Sequence, residues 1–286
     1  MQEKEKNKQK KIKPITKDEV KKVIGILIYM SIVKVPGIRR HFTGITQMPI
    51  VANAMKVSRF EEILSNLHFS DNNLQPDRDD PNFDKFYKFR KLLTNFTKSF
   101  ENSAEPEPHM SVDEMLAPAK GRIPGKVYMP NKPHKRGAKI WAAAGAKSGY
   151  VHRIQIFSDN TKTHQAVHPS IGASGRVVLE LANKMPKCTY FYFDNYFASP
   201  LFLHKLKEEG YEGTCTQRTN RKAGAEKVLQ SEKELRKKGR GSMDYVSSAD
   251  GDQQVLIVHW YDRKLVSVAS TLYPANPMDN IERWNI

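Results

Sequence analysis

Cysteine is nearly absent from this 286-residue chain, which carries only Cys188 and Cys215. Two thiols build neither a four-cysteine zinc site nor the disulfide framework of a small secreted domain, and they suit a reducing compartment. Long apolar runs are missing as well. The longest, "VIGILIYMSIV" at 23–33, falls short of the roughly 20 residues that a bilayer span needs, so no membrane role is expected. The opening "MQEKEKNKQKKIKP" lacks the apolar segment of a secretory signal. Acid is scarce relative to base: 31 Asp and Glu against 47 Lys and Arg leave a formal charge of +16. Such a field favours polyanions, nucleic acid before acidic membrane, and the expected compartment is the nucleus or the cytosol.

What is present reads as three regions after a basic tail at 1–14. Thr16 and Glu19 have the spacing of a capping box, opening a helix with Val20, Val23, Ile24, Leu27 and Ile28 on one face. Ser58 and Glu61 repeat that spacing before Ile63, Leu64 and Leu67. Phe86, Phe89, Leu93, Phe96 and Phe100 mark a third helix, so residues 15–105 read as a helical region whose stripes form a core. The polar stretch "DNNLQPDRDDP", 71–81, reads as a solvent-exposed linker, since it lacks the spacing of a calcium loop.

From 106 to 217 the period changes. "MSVDEML" reads as a buried strand, "AKIWAAAGA" and "YVHRIQIFS" as a hairpin turning at Lys147–Gly149, and "CTYFYFDNYF" as a fully buried central strand. Ser174 is placed to cap a helix over "GRVVLELANKM", with Val177, Val178 and Leu181 inward. Ser199 and Pro200 start another that ends at Gly210, and "YEGTCTQR" supplies a further strand. The order predicts a mixed α/β sheet with crossover helices. Residues 218–286 begin basic and part-helical. They continue as the strands "QQVLIVHWYD" and "KLVSVASTLY", expected to form a β-rich annex apart from the main sheet.

Two acids stand out within that pattern. Asp113 follows "MSV" and Asp194 follows "CTYFYF", each near a strand end. If those strands are parallel neighbours, both carboxylates emerge at one edge, where they repel unless protonated or bridged by a cation. A hard divalent metal beside a basic groove is the arrangement that cleaves phosphodiesters. Taken singly, each acid is a turn or strand-end residue. Glycoside hydrolysis also uses paired carboxylates, but leaves the neighbouring lysines and arginines unexplained.

The motifs "GILIYMSIVKVPGIRRHF", "SRFEEILSNLHFSDN", "SVDEMLAPAKGR", "YMPNKPHKRGAKIW", "YFDNYFASPLFLHKL", "GTCTQRTNRK" and "VLIVHWYDRKLVSVASTLY" run in this order over residues 25–273. In them the chain resembles the piggyBac transposase family. That resemblance implies an α/β, ribonuclease H-like mixed sheet, preceded by a helical DNA-binding and dimerisation region and followed by part of a β-rich insertion. It implies a nuclear protein that binds DNA and forms a homodimer, with Asp113 and Asp194 as catalytic residues and ligands of Mg²⁺ or Mn²⁺. The expected DNA-backbone contacts are Lys120, Arg122, Lys126, Lys132, Lys135, Arg136, Arg218, Arg221 and Lys222. The family's third aspartate lies in a "GGVDxxDQ" signature that this sequence does not contain, and its cysteine-rich zinc module is not found here either. The expectation is a truncated or domesticated transposase, weak in metal binding and inactive as it stands. The alternatives are a non-catalytic DNA-binding regulator and a fragment of an active enzyme.

Other features have plainer readings. Asp262 and Asp279 lack the helical setting of a third ligand. His164 and His168 are read as loop or helix-edge histidines, "GASG" at 172–175 as a helix cap, and Trp141, Trp260 and Trp284 as packing residues.

Overall fold

The computed structural model describes residues 13–121, 123, 125–156, 171–218, 224–248 and 254–276. The "HQAVH" histidines, Asp279 and Trp284 lie outside these residues, as do Arg122, Arg221 and Lys222. The chain divides between Leu74 and Gln75 into two compact units.

The first unit is built on α1 (Lys17–Ile32), α2 (Pro49–Ala54) and α3 (Val57–Ser65). The capping box at Thr16 forms as its spacing predicts, with Thr16 accepting from the Glu19 N–H and Glu19 accepting from the Thr16 N–H. Glu19 is held further by Arg59 of α3, whose guanidinium also reaches Glu62. This clasp sets which side of α1 faces α3. Val23 and Ile26 are buried with Phe42, Val51, Met55, Phe60 and Ile63, whereas Ile24, Leu27, Ile28 and Ile32 stay exposed. The expected stripe is therefore rotated. Residues 23–33 are apolar on nearly every side, and periodicity alone cannot choose the face. The second expected capping box is absent: Lys56 occupies the N-cap, Ser58 sits inside α3, and Glu61 pairs with Arg39 at 2.7 Å.

The second unit carries one mixed sheet, with nine strands among the described residues. In chain order the strands are β1 (His109–Pro118), β2 (Val127–Tyr128), β3 (Arg136–Gly145), β4 (Val151–Ile156), β5 (Tyr190–Phe193), β6 (Glu212–Thr216), β7 (Met243–Ser247), β8 (Leu256–Tyr261) and β9 (Leu265–Ser270). β4, β3 and β1 form an antiparallel meander, and β5 and β6 follow parallel to β1. This is the ribonuclease H-like order. Its parallel steps are made by α5 (Gly172–Ala182), between β4 and β5, and α6 (Pro200–Glu208), between β5 and β6.

One face of the sheet packs on α5 and α6 through Met110, Val112, Phe191, Phe193, Val178, Leu181, Phe202 and Leu206. Gly213 of β6 lets α6 sit close, since a β-carbon there would come within 2.9 Å of both Leu203 and Leu206. The other face, at β3 and β4, is covered by α4 (Tyr87–Ser103), where Phe89 and Leu93 join Phe86, Ala138, Ile140 and Ile156.

Three expectations are corrected here. β5 is buried only through Phe191 and Phe193, because Tyr190 and Tyr192 point to the opposite, half-open face. Ser174 lies within α5, whose N-cap is Ile171. The C-terminal strands continue the main sheet, with β9 pairing antiparallel to β6 through Thr214–Ser270, Cys215–Ala269 and Thr216–Val268. Beyond β9 come β8 and then β7, a strand without a clear alternating signature.

Candidate active site

Alternation along β1 places neighbours on opposite faces of the sheet. Val112 goes into the core, Asp113 is exposed and Glu114 is half-buried. Asp113 is thus not buried, as a wholly apolar reading of "MSVDEML" would have it; it looks out through the open face. The parallel register of β1 and β5 pairs Val112 with Phe193. The next residue on each chain is therefore Asp113 on one and Asp194, just past β5, on the other. Neighbouring strands lie about 4.8 Å apart, so the register brings the two exposed acids to the same edge of the sheet.

Both acids are oriented by the backbone. Asp113 Oδ1 accepts from the Glu114 N–H at 2.7 Å, and Asp194 Oδ1 from the Tyr196 N–H at 2.8 Å. Three cations are held by residues close to them in the chain or the sheet. Arg218, past the end of β6, donates through Nε to Asn195 Oδ1 at 2.8 Å and so sits one residue from Asp194. Lys132 Nζ is 3.2 Å from Glu114 Oε1. Lys139 is partly buried, with its ammonium 3.8 Å from the Trp141 ring centre and 4.6 Å from that of Tyr196. Burial depresses the Lys139 pKa, opposed by the charges of Glu114, Asp194 and Asp113.

The other expected contacts are spread along the loop from β1 to β3 and into the start of β3. Lys120 and Lys135 are exposed, Lys126 donates to the Gly121 carbonyl at 2.8 Å, and Arg136 lies 5.5 Å over the Tyr128 ring. Asp262 sits in the turn between β8 and β9, paired with Arg240, remote in register from the acid pair. Trp141 is buried and Trp260 half-buried, as packing residues. Lys139, Tyr196 and Asn195 are not among the expected site residues. Lys139 reads in sequence as one polar position of an alternating strand, and only the fold brings it to Tyr196.

The carboxylates suit a hard divalent cation, which takes oxygen ligands and keeps part of its water shell. Among the described residues they gather with no third Asp, Glu, His or Cys.

A family profile described as Transposase IS4 matches residues 1–285. The human piggyBac transposable element-derived protein 3 is 31% identical over 279 residues, 95% of this chain and 44% of that protein. The chain belongs to the piggyBac transposase family. The human piggyBac transposable element-derived protein 2 is 28% identical over 92% of the chain and 44% of its own length, so the chain spans less than half of these relatives. Its fold is similar to that in a cryo-EM structure of a piggyBac transposase synaptic complex with hairpin DNA. The TM-score is 0.79 at 22% identity, over 93% of this chain and 54% of that one. DDE transposases, the class of the matching profile, work with divalent metal ions.

Proposed function

We propose that this piggyBac-type chain binds DNA, and that Asp113 and Asp194 form the centre of its phosphodiester site as ligands of Mg²⁺ or Mn²⁺. The observation that carries the reading is the register: two acids, 81 positions apart in sequence, each directly follow one member of the paired residues Val112 and Phe193 on the adjacent parallel strands β1 and β5. A divalent ion bound there supplies Lewis-acid polarisation of a phosphate oxygen. Arg218 and Lys132 offer positive charge at the same edge, and Lys120, Lys126, Lys135 and Arg136 extend it along the DNA backbone. Arg122, Arg221 and Lys222 join them by sequence. On this reading the helices at 15–105 contribute DNA binding and dimerisation, residues 106–217 the catalytic core, and 218–286 a basic, β-rich extension. The +16 charge and the lysine-rich residues 1–14 support a nuclear location.

The test is DNA affinity as a function of salt. With roughly six to ten phosphates contacted, affinity for a random-sequence duplex falls about 10³–10⁵-fold between about 50 and 200 mM salt. Binding that stays flat across that range overturns the proposal.

A further inference from the structure

Strand registers carry the β8–β9 hairpin past the level of the two aspartates. Val112 pairs with Phe193, Phe193 with Cys215, Cys215 with Ala269 and Ala269 with Ile257. Asp113 and Asp194 come one position beyond that row. In the same direction β9 and β8 run on to Leu265 and Tyr261, four positions beyond it, and their turn follows. The hairpin thus overhangs the aspartates by three positions before it turns, about 10 Å at a rise of about 3.3 Å per residue. On the other side of the acids the β1–β3 hairpin overhangs as well, to the pair Pro118 and Gly137. Between the two hairpins β5 and β6 end early, at Phe193 and Thr216.

The overhanging end of β8–β9 is cationic. Residues 235–242 and 261–265 hold Arg236, Lys237, Lys238, Arg240, Arg263 and Lys264 against one acid, Asp262. All six cations are exposed. The two segments meet in space. The Gly241 N–H donates to the Tyr261 carbonyl at 2.8 Å, the Tyr261 N–H donates to the Ser242 carbonyl at 2.9 Å, and Arg240 pairs with Asp262. Their scaffold is firm: α7 (Glu232–Lys238) is anchored by the fully buried Leu235, whose carbonyl accepts from the Ser242 hydroxyl at 2.7 Å. A run of lysines and arginines on one helix is ordinarily a solvated face. This cluster draws on two segments, with Lys238 and Arg263 25 positions apart in sequence. Gathering like charge costs self-repulsion, which a bound polyanion relieves.

We propose that this end of the β8–β9 hairpin, with the C-terminal turn of α7, is a second DNA-backbone surface that grips the duplex flanking the phosphodiester at Asp113 and Asp194. This rests on the reading of that edge as a DNA site. The basic loop from β1 to β3 holds the duplex on one side of the acids and the hairpin holds it on the other. Lys237, Lys238, Arg263 and Lys264 contact phosphate oxygens, which carry no base information, so the surface adds affinity and orientation without sequence preference. Arg240, already paired with Asp262, ties the helix end to the turn.

The wild-type chain and the triple variant Lys238→Gln, Arg263→Gln, Lys264→Gln are titrated with a random-sequence duplex across about 50–200 mM salt. Each phosphate contact contributes about 0.9 to the slope of log affinity on log salt, so the variant is expected to lose about 2.7 of slope. Equal slopes overturn the inference while leaving the DNA-binding reading intact. A wild-type chain without salt-dependent binding removes both. A second measurement needs no variant: reductive methylation of the wild-type chain, with and without the duplex, mapped by peptide mass. DNA should protect Lys238 and Lys264, whereas Lys147, in the β3–β4 turn at the opposite edge of the sheet, should label equally in both. Labelling of Lys238 and Lys264 that DNA leaves unchanged, or equal protection of Lys147, sinks the proposal.

Discussion

Lys132 Nζ stands 3.2 Å from Glu114 Oε1 and 3.4 Å from the Glu114 carbonyl, one residue along β1 from Asp113. The adjacent acids therefore have separate tasks. Asp113 faces the open side of the sheet, and Glu114 clasps the basic loop from β1 to β3. Both side chains of the clasp are at most a third exposed.

That clasp has a measurable consequence. Exposed ion pairs contribute roughly 0–1 kcal/mol, and a mostly covered pair with a second hydrogen bond belongs at the upper end, about 1 kcal/mol. A double-mutant cycle with Glu114→Gln and Lys132→Met, followed by urea unfolding, should return a coupling of that size. Glu114→Gln should also weaken DNA binding, although Glu114 is itself an anion, because the loop cations lose their anchor. Tighter binding in Glu114→Gln would show that the carboxylate only repels DNA and anchors nothing.

Metal binding is the second expectation. Two carboxylates give Mg²⁺ or Mn²⁺ few protein ligands, and such ions want further oxygens. Calorimetry should find weak Mn²⁺ binding to the wild-type chain, lost in Asp113→Asn and in Asp194→Asn alike. Loss in one variant only would break the pairing that the register implies. Strand cleavage by the 286-residue chain should stay at background with Mn²⁺, since misplacing one metal costs several factors of ten in rate, each about 1.36 kcal/mol of barrier.

The two cysteines should differ sharply. Cys188 is exposed; Cys215 is buried in β6 beside the core, and burial pushes its thiol up to about 12 from an ordinary value near 9. The thiolate is the reactive form, so iodoacetamide at mildly alkaline pH should modify Cys188 and leave Cys215 untouched until the chain unfolds. The linkage has a definite sign. The folded state favours the protonated thiol, so this contribution to stability is complete below about pH 9 and is lost as pH rises through about 12. Cys215→Ala should flatten the alkaline fall of unfolding temperature over that window. An unchanged pH profile in Cys215→Ala rules this source out.

Much of the fold was legible in the sequence because it rests on local periodicity and capping chemistry. The Thr16–Glu19 box, the Ser199–Pro200 helix start and the β3–β4 hairpin all form where their residue types require. Local signals misled where two answers fitted the same residues. Ser58 and Ser174 have the spacing of caps, yet both lie inside helices. The apolar residues at 23–33 fit more than one helix face, and the Arg59–Glu19 contact, 40 positions apart, selects one.

The same division runs through the candidate site. Sequence by itself named Asp113 and Asp194, through their places at the ends of apolar runs and the motifs around them, and it named the basic loop. Tertiary structure alone decided that the two acids share a level, because strand register is set by core packing of Val112 and Phe193 and not by residues nearby in the chain. It alone joined β9 to β6 and so made the C-terminal strands part of one sheet. It also brought Lys139 to Tyr196, a contact between residues 57 positions apart that exists only because antiparallel β3 starts at the edge where β5 ends. Side-chain chemistry is written in the sequence, whereas proximity between strands depends on which faces the core buries.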